Sequence, residues 1–222
     1  MRRAGRRALL VEAPDAATAE ALHAELLRRR AAGTLPPVRE LVPGARTVLL
    51  DGLDEPGRLA AELPHWHLPP ASRQAAATVG IPVRYDGPDL PEVAALWGVS
   101  TEEVVRVHTG TAFRVAFCGF APGFGYLTGL DERYRVPRRE SPRTRVPAGA
   151  VALAGTYAGV YPRPSPGGWQ LIGTAVGTVL WDPGREPAAL LTPGTRVRFT
   201  EAGSAAGSAD GSAAGPTGEG AR

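Results

Sequence analysis

The sequence predicts an α+β chain, a small N-terminal α/β sandwich followed by a mainly β domain, and three observations predict it. Strand-like apolar runs are interleaved with two helical stretches up to Leu63. A proline- and alanine-rich stretch, Pro64 to Thr78, then interrupts the pattern. From Phe113 onward the apolar segments are short and bounded by turn residues, the pattern of a barrel or sandwich. Domains are therefore expected at 1–78 with the linker, at 79–201, and a glycine-, serine- and alanine-rich tail, 202–222, is expected to be disordered.

The elements follow in order. Ala8 to Ala13 reads as a strand, and Asp15 to Arg30 as a helix with Ala19, Leu22 and Leu26 on one face. Arg28, Arg29 and Arg30 suit the negative end of that helix, and Gly33 its stop. Strands are expected at Arg39 to Leu41 and Thr47 to Asp51 around a Pro43-Gly44 turn, then a helix at Gly57 to Leu63. The second domain opens with a strand at Ile81 to Tyr85 and two short helices, Leu90 to Trp97 and Thr101 to Val107. Ser100 and Glu103 have the spacing of a capping box, which sets the start of the second helix. Phe113, Val115 and Phe117 alternate with Arg114, Ala116 and Cys118, as in a half-buried strand. Later strands are expected at Val151 to Leu153, Trp169 to Ile172, Thr178 to Trp181 and Arg196 to Phe199, with a tight turn at Pro166-Gly167-Gly168.

Composition excludes several function classes. All 25 Lys and Arg residues are arginine, so the chain has no Walker lysine, no Schiff-base lysine and no lysine to carry biotin. The single cysteine, Cys118, excludes an internal disulfide and is read as core packing. His65 and His67 make only two ligands, which is no zinc site, so no metal is expected. No nucleic-acid motif accompanies the net charge of +3. No apolar run approaches the roughly 20 residues that span a bilayer. Arg2, Arg3, Arg6 and Arg7 before Ala8 to Val11 superficially resemble a signal peptide, but the run stops at Glu12 and no small-residue cleavage site follows. A cytoplasmic protein without membrane or nucleic-acid partners is expected.

The chemistry concentrates between Phe117 and Gly149. Gly119, Gly123 and Gly125 permit close backbone approach, while Phe120, Phe124 and Tyr126 supply flat apolar walls around Pro122. Pro137, Pro142 and Pro147 then keep the next segment extended. Six arginines between Arg133 and Arg145 lie along it, and a guanidinium fork suits carboxylate or phosphate. The arrangement fits a small, partly apolar acid; the same residues also fit turns, core and a solvated basic rim. His108 follows a helix and can act as acid, base or donor, or as a partner of the helix dipole. Tyr161 and Trp169 can each wall a ligand or fill a core. Ser165 lacks the setting of a nucleophile elbow.

The blocks VVRVHTGTAF around His108, GFAPGFGYLTGLDERYRVPRRESPRTRVPAG, GVYP and SPGGWQLIG occur together with VRELVPGARTVLL. On these the chain resembles the family of 5-oxoprolinase B-type subunits, also called allophanate hydrolase subunit 1, from Ala8 to Phe199. The resemblance implies a cyclophilin-like β-barrel for the second domain. It also implies one component of a bacterial ATP-dependent 5-oxoprolinase, working with a carboxyltransferase-like C-type subunit and with a separate A-type subunit. ATP, with magnesium as its counter-ion, would be bound together with a partner subunit. His108 and Arg138 are then the expected catalytic residues. Phe120, Pro122, Gly123, Phe124, Gly125, Tyr126, Arg139, Arg143, Tyr161 and Trp169 are the expected substrate or ATP contacts. The alternatives are a carboxyltransferase-like component of a urea- or allophanate-degrading enzyme and a binding protein that inhibits a histidine kinase. Ala150, Tyr157, Ala158, Thr174 and Phe113 depart from the family pattern, where serine, glutamine, threonine, arginine and tyrosine are usual.

Overall fold

The structure is a computed structural model that describes residues 1–68 and 78–203. Most of the expected linker (69–77) and nearly all of the expected tail (204–222) lie outside the described residues.

The N-terminal part is a four-stranded sheet with helices packed against it. Its strands are β1 (Arg2–Arg3), β2 (Ala8–Glu12), β3 (Glu40–Pro43) and β4 (Thr47–Asp51), in the order β1-β2-β4-β3, each neighbouring pair antiparallel. Helix α1 (Ala16–Ala31) connects β2 to β3, and α2 (Pro56–Glu62) follows β4. Leu9 and Val11 of β2 alternate with outward residues, as do Val48 and Leu50 of β4, and both sets meet Leu22 and Leu26 of α1. Asp15 caps α1 by accepting from the Thr18 amide at 2.7 Å. The buried face of α1 also includes Glu25, which the sequence pattern does not reveal. Its carboxylate accepts from Arg28 and Arg29, and those bonds hold its pKa down to about 2.

The second part is a closed seven-stranded barrel. Its strands are β5 (Thr78–Arg84), β6 (Phe113–Cys118), β7 (Gly125–Thr128), β9 (Ala150–Ala154), β10 (Tyr157–Val160), β12 (Gln170–Ala175) and β13 (Arg196–Glu201). They close in the order β10-β7-β6-β13-β5-β12-β9, with β5 and β13 parallel and the other pairs antiparallel. Two further strands, β8 (Arg143–Val146) and β11 (Ser165–Gly167), pair outside the barrel. Helices α3 (Leu90–Trp97) and α4 (Thr101–Gly110) pack together, and Ser100 caps α4. Among the described residues no helix is long and apolar enough to cross a membrane.

Two expectations are corrected. Thr178 to Trp181 is not a strand, because this segment folds back on itself: the Leu190 amide donates to Leu180 O and the Asp182 amide to Ala188 O. The Arg185 guanidinium donates to Ala188 O at 2.9 Å and holds the loop. Pro166 and Gly167 belong to β11 rather than to a tight turn; a proline fits there because the pair is short and two-stranded.

The barrel wall has two apolar sides. Val115, Leu127, Val151, Leu153, Val160 and Ile172 fill its interior. Ala150, Ala152 and Ala154, on the other face of β9, join Phe124, Val146, Tyr161, Trp169 and Leu171 in a second cluster on the outer wall. Every residue of β9 is consequently buried.

Candidate functional site

A cleft of about 670 Å³ lies on that outer wall. Phe117 of β6, Tyr126 of β7, Tyr157 of β10 and Trp169 ahead of β12 form its aromatic side. Arg135, Val136, Pro137 and Arg138 form the opposite side, and Ala45, from the β3–β4 turn, closes it from the N-terminal part. The arm reaches this position because Val136 pairs with Gly155, at the β9–β10 turn, through bonds of 2.9 and 2.7 Å. Phe117 and Tyr126 stack at 4.3 Å, and Tyr157 stands edge-on to both. Trp169 meets Tyr126 and Phe124 edge-on. Burial raises the Tyr157 hydroxyl above the ordinary phenol pKa, with help from Tyr126. Burial likewise raises that of Tyr161, which the nearby Arg138 and Arg143 oppose. Both phenols are thus neutral donors near neutral pH.

Of the residues expected to act, Tyr126, Trp169 and Arg138 line the cleft. Phe124 and Tyr161 are buried directly beneath, their rings 5.4 Å apart. Phe120 is 56 % exposed with φ of 67°, and its ring leans on Phe124 and Tyr161. Gly123 serves the close approach of another loop: a Cβ there would lie 3.0 Å from Leu180 O. Gly125 lies in β7, the Phe124 amide donates to Ala121 O, and Pro122 stays in the exposed turn between them. These loop groups make turns and do not line the cleft.

Arg139 and Arg143 turn away from the cleft. Both donate to Asp89 Oδ1, at 3.1 and 2.7 Å, and the amide of Leu171 donates to Asp89 Oδ2 at 2.7 Å. Asp89, directly before α3, is 3 % exposed. Among the described residues Arg138 makes no ion pair, whereas Arg135 pairs with Glu132. Arg138 is thus the cleft's available cation.

His108 lies elsewhere. It sits inside the last turn of α4 rather than beyond it, with no exposed surface, its ring 4.3 Å from that of Phe199. Its Nδ1 is 2.8 Å from the Tyr85 hydroxyl, while Nε2 has no partner. Burial lowers its pKa to about 3, so the expected acid–base role near neutral pH does not follow from this position. Cys118 is half-buried, its thiol on Leu191 O at 3.3 Å and its pKa raised to about 11 by burial, as a packed cysteine should be. Among the described residues no group of three His, Cys, Asp or Glu stands ready for a metal ion.

The five departures from the family pattern separate cleanly. Ala150, Ala158 and Phe113 are buried in the cores, and Thr174 donates to Asp86 at 2.9 Å. Tyr157 alone among them faces the cleft.

Residues 1–191 match the family described as carboxyltransferase domain, subdomain C and D. The chain is similar to the 5-oxoprolinase B-type subunit of Escherichia coli O157:H7, 42% identical over 173 residues, which is 74% of this chain and 78% of that protein. The crystal structure of TTHA0988 superposes with a TM-score of 0.71 at 38% identity over 96% of this chain. The chain spans 41% of that protein. The Kluyveromyces lactis urea amidolyase shares the fold, with a TM-score of 0.67 at 20% identity over 90% of this chain and 14% of the amidolyase.

Proposed function

The chain belongs to the family of the carboxyltransferase domain, subdomain C and D, and from that premise we propose that it is the B-type subunit of an ATP-dependent 5-oxoprolinase. Such an enzyme opens the lactam of 5-oxo-L-proline to give L-glutamate. The observation that carries the reading is the pairing of an aromatic wall with one available guanidinium across a small cleft. A five-membered lactam has a flat, largely apolar face that fits against Tyr126, Tyr157 and Trp169. Its carboxylate then meets Arg138, the cation that no carboxylate of the described chain neutralises. Burying the ring against aromatic groups strengthens that charge pairing by excluding water.

Amide resonance protects the lactam from direct attack by water. ATP, as co-substrate, would supply the phosphoryl group that makes the lactam oxygen a leaving group. The chain has no lysine for a Walker motif, and among the described residues no group of three His, Cys, Asp or Glu is gathered to hold a metal ion, so a bound nucleotide calls for residues from a second chain. We therefore assign the nucleotide to a partner, with C-type and A-type subunits completing the assembly. This chain binds and orients the acid. The carboxyltransferase family also fits the urea-degrading alternative, although the likeness to the amidolyase is one of fold alone.

The test is steady-state kinetics of the assembled complex carrying Arg138→Ala. Loss of one charge-assisted contact to the substrate raises KM for 5-oxo-L-proline about tenfold or more, with kcat little changed. An unchanged KM would refute the assignment of Arg138.

A further inference from the structure

We infer that Asp89 is a positioning residue, one that sets the distance between the cleft's cation and its aromatic wall by tying the arginine arm to the start of β12. The inference rests on the assignment of Arg138 to the substrate acid.

Asp89 precedes α3, yet its side chain makes no cap for that helix. Instead its two oxygens divide their bonds. Oδ1 takes the guanidinium groups of Arg139 and Arg143, and Oδ2 takes the backbone amide of Leu171. The backbone of Asp89 adds a second tie, its amide donating to Leu171 O at 3.0 Å. Arg139 follows Arg138 in the chain, and Leu171 comes two residues after Trp169, so the carboxylate holds a neighbour of each cleft wall. The Arg139 amide also donates to Gly168 O at 2.8 Å, closing the loop between arm and wall.

A carboxylate this deeply buried is costly unless its charge is matched and its lone pairs are filled. Two guanidiniums and one amide do both here. Each arginine donates a single N–H to the same oxygen, Nη1 from Arg139 and Nη2 from Arg143, so two side chains of the arm converge on one buried point and restrict where the arm can run. Arg138 is left between a fixed residue on its C-terminal side and the Val136–Gly155 pairing on its N-terminal side. Freed from the carboxylate, the arm keeps its backbone bonds, the Gln170 side-chain contact to Pro137 O and the packing of Val136, but loses the ties at Arg139 and Arg143; displacement by about 1 Å at a binding group can reduce function severalfold to a hundredfold.

The experiment is a double-mutant cycle on the assembled complex, Asp89→Asn with Arg138→Ala, reading KM and kcat for 5-oxo-L-proline. Asparagine keeps the shape but presents one oxygen and an NH₂, so it cannot accept from all three donors. The inference expects KM to rise about tenfold with kcat within about twofold in Asp89→Asn, and no further rise in KM when the substitution is made on the Arg138→Ala background. An unchanged KM in folded Asp89→Asn, or the same-fold KM change in both backgrounds, overturns it. If Arg138→Ala itself leaves KM unchanged, the substrate reading has failed first, so the two failures are distinguishable. Should Asp89→Asn not fold, Arg139→Gln replaces it in the same cycle with the same outcomes, because Arg139 is partly exposed and its loss leaves Arg143 on the carboxylate.

Discussion

His108 has no exposed surface, and its Nε2, which carries the proton when Nδ1 accepts from Tyr85, has no partner. A neutral ring is tolerable there and a charged one is not, which is why the folded pKa falls to about 3 from an ordinary value of 6.5. Between those values the unfolded chain binds the extra proton, so the stability is full above about pH 6.5 and is lost as pH falls toward 3. The thermal midpoint should therefore drop between pH 7 and pH 5, and His108→Leu should flatten that slope. His23, lowered first by burial and then by Arg30, shares the window, so the slope shrinks rather than vanishing. An identical slope in the variant would place the titration elsewhere. Residue chemistry was legible in the sequence where one side chain decides it, as with the packed thiol of Cys118. It was not legible where a partner distant in the chain decides it: Asp89 is 50 residues from Arg139, 54 from Arg143 and 82 from Leu171.

Among the elements, those with their own periodicity or cap were readable in advance: α1 behind Asp15, α4 behind Ser100, and β6 with its alternation. The strands missed, β1, β7, β8, β10 and β11, have two to four residues each, too few to show a period. They exist because barrel closure or a neighbouring strand supplies their partners. Gly87 illustrates how tightly these elements meet. A Cβ at this position would lie 2.3 Å from both the Ile172 carbonyl carbon and Leu171 O, backbone atoms of β12 that have little room to yield. Gly87→Ala should destabilise the fold by about 2–4 kcal/mol, read as a lower urea midpoint at unchanged slope. A wild-type midpoint would mean that β12 can shift away from the segment before α3.

At the scale of the molecule, the barrel provides two apolar faces, and the candidate site occupies the outer one, where small alanines of β9 leave room for a tyrosine and tryptophan cluster. The N-terminal part contributes Ala45 to the cleft and an ion pair from Glu20 of α1 to Arg114 of β6. The mixed α+β class was legible from the change to short, turn-bounded segments after Phe113, but the side of the wall that faces the cleft depends on register, which no single segment reveals. The central claim is that this chain is an obligatory component of a lactam-opening complex. The direct test combines the chain with the proposed A-type and C-type subunits and measures glutamate and phosphate release from 5-oxo-L-proline and ATP, with each component omitted in turn. Release should disappear when this chain is left out; full release in its absence, or none from the complete and associated set, would refute its role as a component.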